Sequence, residues 1–182
     1  MAYNFYDSWR ADQASNDILD KIDEMGIEEE EVEEGEVPIY EQYPDMPMPA
    51  VEIDGYRYIA TLKIPSIKLK LPVMEEWDYS RLKISPCRYS GSAYTHDLVI
   101  AGHNYAAHFS PIKWMETGTV VILKDMAGNV FHYTVAGIDT IGPYDVDGMT
   151  KKKKDEDWDM TLFTCTTGGG SRCAVRCVLD KE

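Results

Sequence analysis

From Val51 onward the chain is a series of short apolar, β-branched runs separated by turn residues, and that pattern leaves few folds open. Tyr58–Ile64, Leu98–His103, Thr119–Leu123, Val130–Val135, Met160–Cys165 and Cys173–Leu179 each have the length and composition of a strand. Between the third and fourth runs, Asp125-Met126-Ala127-Gly128-Asn129 carries hairpin-turn chemistry. Many short strands with turns at close intervals build a sandwich or a closed barrel, so the expected class is mostly β. With 182 residues, 44% of them hydrophobic, the chain can form one domain around a real core. It contains no internal repeat.

The first fifty or so residues have a different texture. Trp9, Ala14, Ile18, Ile22 and Met25 recur at helical spacing, with Asp7 or Ser8 as cap and Gly26 as stop. The acidic block beginning at Glu28 repels itself, and Pro38, Pro44, Pro47 and Pro49 prolong the irregular character. We read residues 1–50 as a helix plus an acidic, proline-marked arm and residues 51–182 as the body. The arm is either a solvated linker or a segment packed over the body.

The formal net charge of −14 argues against nucleic acid and against adsorption to anionic lipid, since both need basic patches. No apolar run reaches the roughly eighteen residues of a membrane span, and Met1-Ala2-Tyr3 does not open a signal peptide. Any membrane anchor is expected to lie outside this chain. The four cysteines, Cys87, Cys165, Cys173 and Cys177, form no CxxC pair and are too sparse for a disulfide framework. We expect no metal and no cofactor.

Three residues at strand ends form a chemically complete set. Cys165 closes Thr161-Leu162-Phe163-Thr164-Cys165 just before a glycine loop, where a nucleophilic thiol can be exposed. His103 closes Leu98 to Gly102, and Arg172 opens the last run. Strand alternation puts Arg172, Ala174 and Arg176 on one face and Cys173, Val175 and Cys177 on the other. A thiolate, an imidazole and a guanidinium together can carry out acyl transfer.

These segments resemble those of the sortase family. Thr161-Leu162-Phe163-Thr164-Cys165 is similar to the TLxTC signature, with Ala101-Gly102-His103 upstream and Arg172 downstream in the family's order. Tyr58 to Ile67 resembles the family's opening strand, with Leu71-Pro72-Val73 following, and the resemblance runs from about Tyr56 to Leu179. It implies an eight-stranded β-barrel with short helices, here with an N-terminal helix added. It also implies cleavage of an LPxTG-like sorting signal through a Cys165 thioester and transfer to an amine. That amine would belong to a peptidoglycan precursor or to a pilin lysine, outside the membrane of a Gram-positive cell. His103 would be general acid and then base, and Arg172 would hold the oxyanion or the peptide. Thr164, Tyr144, Val146, Met149 and Arg176 are the expected substrate contacts.

Some features depart from the family pattern. Ala60 stands where the opening strand usually has glycine, and the Cys165–Arg172 loop is shorter than in class A enzymes. The chain looks most like class B or class D, and its nearest approach to a pilin-class lid is Tyr43-Pro44-Asp45-Met46-Pro47. Cys87, Cys173 and Cys177 are expected to be packing residues, and His108 and His132 structural or surface histidines, with His108 the rival for the acid role and Arg176 for the arginine. Lys151 to Lys154 with Asp155-Glu156-Asp157 reads as a solvated loop or as part of a cover over the peptide. Two other functions fit the same residues: a thiol peptidase that mainly hydrolyses, and a binding barrel in which Cys165 is merely buried.

Overall fold

The computed structural model describes residues 2–31, 36–152, 156–166 and 168–180. Its strands are β1 (Val51–Ile53), β2 (Tyr56–Ile64), β3 (Leu69–Met74), β4 (Cys87–Ser90), β5 (Leu98–Ala101), β6 (Val120–Asp125), β7 (Val130–Ile141), β8 (Met160–Cys165) and β9 (Arg172–Leu179). Neighbours run β1-β2-β3-β4-β5-β8-β9-β7-β6, and β6 pairs back onto β2. The last pairing closes β2 to β9 into an eight-stranded barrel, with β1 as an added edge. Closure removes the exposed edges that so many short strands would otherwise leave.

Alternation sorts the side chains. Leu98 and Ile100, Met160 and Leu162, Cys173, Val175 and Cys177, and Phe131, Tyr133 and Val135 fill the interior with Ile59, Leu62 and Ile64. Val99, Ala101, Phe163 and Ala174 point outward yet are buried, because Ile141 at the end of β7 and Met149 and Trp158 of the long β7–β8 connection lie over them. A short helix in that connection, α3 (Val146–Thr150), is capped by Asp145, whose Oδ1 accepts the Gly148 N–H at 2.9 Å.

The hairpin between β6 and β7 forms at the residues expected. Asp125 is buried and accepts from Ala127 N–H, Asn129 N–H, Asn129 Nδ2 and the Tyr94 hydroxyl. Gly128 has φ +97°, and a Cβ there would run into the Glu28 carbonyl, so the acidic segment crosses this turn at close range.

Helix α1 (Ala2–Glu24) begins before Asp7 and Ser8, so neither caps it. Ser8 Oγ instead accepts the Ala107 N–H at 3.3 Å. The inward stripe is Ala11, Ser15, Ile18, Leu19 and Ile22, while Trp9 and Met25 stay exposed. Ile18 and Ile22 pack with Tyr58, Met74 and Cys87, so the helix lies on the barrel wall. Gly26, at φ +64°, stops it as expected. Beyond it, Lys124 Nζ donates to Ile27 O and Glu30 N–H to Gly128 O. Residues 32–35 of the acidic block lie outside the described residues. The arm then forms α2 (Ile39–Gln42), whose Tyr40 stacks on Tyr94 at 5.0 Å. Tyr94 precedes β5, so this contact, with Tyr43-Pro44-Asp45-Met46-Pro47 beside it in the chain, sits at the barrel end away from His103. The sequence pattern missed β1, β3, β4 and the second half of β7; for β3 only the resemblance pointed at Leu71-Pro72-Val73.

Candidate active site

Three adjacent strands build the site. β5 and β8 run parallel, with Ala101 opposite Phe163, and Gly102 N–H donates to Phe163 O at 3.0 Å. β8 and β9 run antiparallel, with Cys165 opposite Arg172. His103, Cys165 and Arg172 thus meet at one end of the sheet. Alternation puts each on the outward face, continuing Val99-Ala101, Thr161-Phe163 and Ala174-Arg176 respectively.

The sharp turn after β5 needs Gly102, because a Cβ there would overlap the Phe109 ring. The turn is then sewn up by Phe109 N–H to His103 O at 3.1 Å and by His108 and Ser110 N–H to Tyr105 O. The imidazole of His103 stacks on Tyr105, with centroids 3.8 Å apart and planes 18° from parallel. Its Nδ1 is buried without a hydrogen-bond partner among the described residues. Burial lowers the pKa of His103, Lys83 adds to the lowering, and Asp7 opposes it. His108, the rival, is fully buried with Nε2 3.3 Å from Ser15 Oγ, and burial pushes its pKa down to about 4. It faces α1, as a structural histidine.

The loop after Cys165 is held across its neck. Thr166 N–H donates to Ser171 O at 3.0 Å, and Thr166 Oγ1 lies 2.9 Å from Ser171 Oγ. Gly168 and Gly169 adopt φ of +85° and +74°, which accounts for the glycine run. Arg172 Nη1 donates to Gly169 O at 3.2 Å and Ser171 O at 3.1 Å, so the guanidinium is turned onto its own loop. Cys165 is half-buried, whereas Cys87, Cys173 and Cys177 are buried and burial raises their thiol pKa values.

Ala101 and Phe163, on the outward face next to this end, are covered from two sides. On one side stand Tyr89, edge-on to Phe163 at 5.2 Å, and Trp77 against Tyr89 at 4.9 Å. On the other stands the β7–β8 connection, with Tyr144 93% exposed, Val146 46% exposed and Met149 buried beneath. The expectations for Thr164 and Arg176 are corrected here. Thr164 is 1% exposed, because it falls on the interior phase of β8. Arg176 is 5% exposed and bound to Asp139, Thr161 Oγ1 and the Gly148 and Met149 carbonyls, with Trp158 under its guanidinium. Its side chain holds α3 in place and is sealed from solvent.

Of the lysine-acid stretch, residues 153–155 lie outside the described residues, and Lys151 pairs with Asp147 at 3.0 Å. Among the described residues, no group of three or more His, Cys, Asp or Glu is arranged to hold a metal ion. Sequence reasoning missed Tyr105 and Trp77, which sit in irregular segments, and Tyr89, whose strand β4 is only four residues long, so no periodicity marks them.

Comparison with known proteins agrees with this geometry. The Sortase domain family model matches residues 62–180. No curated protein matches the chain. Among solved structures, the fold is similar to the sortase D5 transpeptidase of Clostridium perfringens, at TM-score 0.62 and 19% identity over 93% of this chain and 97% of that one. It is similar to sortase C1 of Streptococcus agalactiae, at TM-score 0.62 and 23% identity over 72% of each chain. It is also similar to a lid mutant of sortase A from Corynebacterium diphtheriae, at TM-score 0.61 and 19% identity over 100% and 95%. With the family model covering most of the barrel, and His103, Cys165 and Arg172 gathered at one end of it, the chain belongs to the sortase family.

Proposed function

We propose that this chain is a cysteine transpeptidase that cuts an LPxTG-like sorting signal and passes the acyl group to an amine. One observation carries the reading. Of four cysteines, the half-buried one is Cys165, on the outward face at the strand end shared with His103 and Arg172. A merely structural thiol has no reason to sit there, and the other three cysteines are all buried.

Cys165 gives its thiol proton to His103, the thiolate attacks the scissile carbonyl carbon, and the C–N bond breaks as His103 passes that proton to the leaving amine. The thioester then meets the acceptor amine, which loses a proton to His103 while the thiolate departs. Arg172 leaves the Gly169 and Ser171 carbonyls to stabilise the oxyanion in both steps. The peptide lies on the outward face beside Cys165, between Tyr89 and the exposed Tyr144 and Val146. Acceptors are a peptidoglycan precursor or a pilin lysine, at the outer face of a Gram-positive membrane. No helix among the described residues is long and apolar enough to cross that membrane.

The test is intact mass after mixing the protein with LPxTG-like and NPxTx-like peptides and an added amine. A Cys165-dependent adduct plus a peptide–amine product is expected. Free acid alone, with every amine tried, would replace transfer by hydrolysis. No adduct with any peptide would overturn the reading.

A further inference from the structure

We propose that Tyr105 is the positioning residue of His103 and that α1 braces it from behind. The inference rests on His103 being the acid–base group. An imidazole that shuttles protons must keep one nitrogen aimed at the reacting atoms, and a carboxylate or carbonyl on the other nitrogen commonly does this. Here Nδ1 is buried and has no hydrogen-bond partner among the described residues, so no such hold exists. Packing has to orient the ring, and the stacked face of Tyr105, itself buried, supplies it.

Tyr105 is in turn fixed. Its carbonyl accepts from both His108 and Ser110 N–H. The His108 ring lies 5.6 Å from its own, and His108 Nε2 meets Ser15 Oγ on α1. Ser15 Oγ also lies 3.3 Å from Ile84 O, and Ser8 of α1 accepts from Ala107 N–H. A continuous path therefore runs His103–Tyr105–His108–Ser15. The charged groups that face His103 are Asp7 of α1 and Lys83 of the Arg81–Lys83 turn, with Arg10 near Tyr105. When His103 gains a proton during turnover, the aromatic face beneath it favours the cation. Tyr105 thus orients the ring and supports its charged state without touching substrate.

The experiment compares Tyr105→Phe, which keeps the face, with Tyr105→Leu, which removes it. In full-length protein turning over peptide and amine, Tyr105→Phe should stay within about threefold of the parent kcat. Tyr105→Leu should lose roughly ten- to a hundredfold in kcat at little-changed KM, with the histidine limb of the pH–rate profile moved to lower pH. Parent-like kcat and profile in Tyr105→Leu, while His103→Ala is inactive, would overturn the proposal and leave the transpeptidase reading standing. Should Tyr105→Leu fail to fold, Ser15→Ala takes its place: a smaller kcat loss with the same shift supports the path, and an unchanged profile overturns it. NMR titration of 15N-labelled histidines needs no turnover and separates the two readings further. A His103 shift and pKa altered in Tyr105→Leu but kept in Tyr105→Phe support the stack, and identical values in both variants refute it.

Discussion

At the residue scale, the four cysteines separate by environment. Cys87 and Cys177 are sealed in the core with thiols pushed up to about 12 by burial, so they are inert at neutral pH. Cys165 alone is reachable. Cys165→Ala should therefore abolish the acyl adduct with the melting temperature nearly unchanged; an adduct that persists by intact mass would remove the nucleophile assignment. Gly102 is the second decisive residue, since a side chain there would strike Phe109 in the segment that carries His103. Gly102→Ala should cost about 1–3 kcal/mol and lower turnover, as read by chemical denaturation and kcat. Both residues were visible in the sequence as parts of a motif. Why Gly102 must be glycine was not, because Phe109 lies seven positions away and is brought back only by the turn.

At the element scale, the β7–β8 connection covers the outward face beside Cys165, and Arg176 ties it down through two backbone carbonyls of α3, Asp139 and Thr161. Sequence alternation correctly put Arg176 on the face of Arg172, which made it look like a substrate contact. It could not show that the connection folds back over that face and engages all three guanidinium nitrogens. Arg176→Met keeps the bulk but leaves the Gly148 and Met149 carbonyls without their donor, at a cost of about 2–4 kcal/mol. The expected signature is a raised KM for the peptide with unchanged labelling of Cys165 by a thiol reagent. A parent-like KM would show that the connection stays in place without the clamp.

At the scale of the whole molecule, α1 contributes to the core. Ile18 and Ile22 are buried against the barrel wall, and burying each is worth roughly 1.5–3 kcal/mol. Removing residues 2–26 should therefore lower the melting temperature and expose a dye-binding apolar face; an unchanged melting curve would show that the helix is dispensable. His108 links the same interface to pH. Burial holds its folded pKa near 4 against an ordinary value of 6.5, so it is neutral in the fold and binds its proton more readily when unfolded. Its contribution is fully present above pH 6.5 and is lost as pH falls toward 4, by up to about 3 kcal/mol. Unfolding measured from pH 8 to pH 4 should show a shallower acid decline in His108→Gln than in the parent. Parallel curves would place the acid sensitivity elsewhere.

The division between sequence and tertiary structure follows the range of the forces involved. Period-two alternation, the Asp125–Asn129 hairpin, the Gly26 helix stop and the residues flanking His103, Cys165 and Arg172 are local, and the chain alone determined them. The extra strands β1 and β4 are too short to show a period, and β7 runs on through Gly137 and Asp139, residues poor in strand propensity, because β9 pairs with it along its length. The helical stripe was read correctly at Ile18 and Ile22, but Trp9 and Met25 are exposed while Ala11 and Ser15 are buried, because which face of a helix is buried depends on what it meets. Contacts between distant segments were decided only by closure of the barrel. These are the pairing of β6 with β2, the reach of α1 to His108, and the fold-back of α3 over Ala174. Each joins residues far apart in sequence, where no local pattern can record the partner.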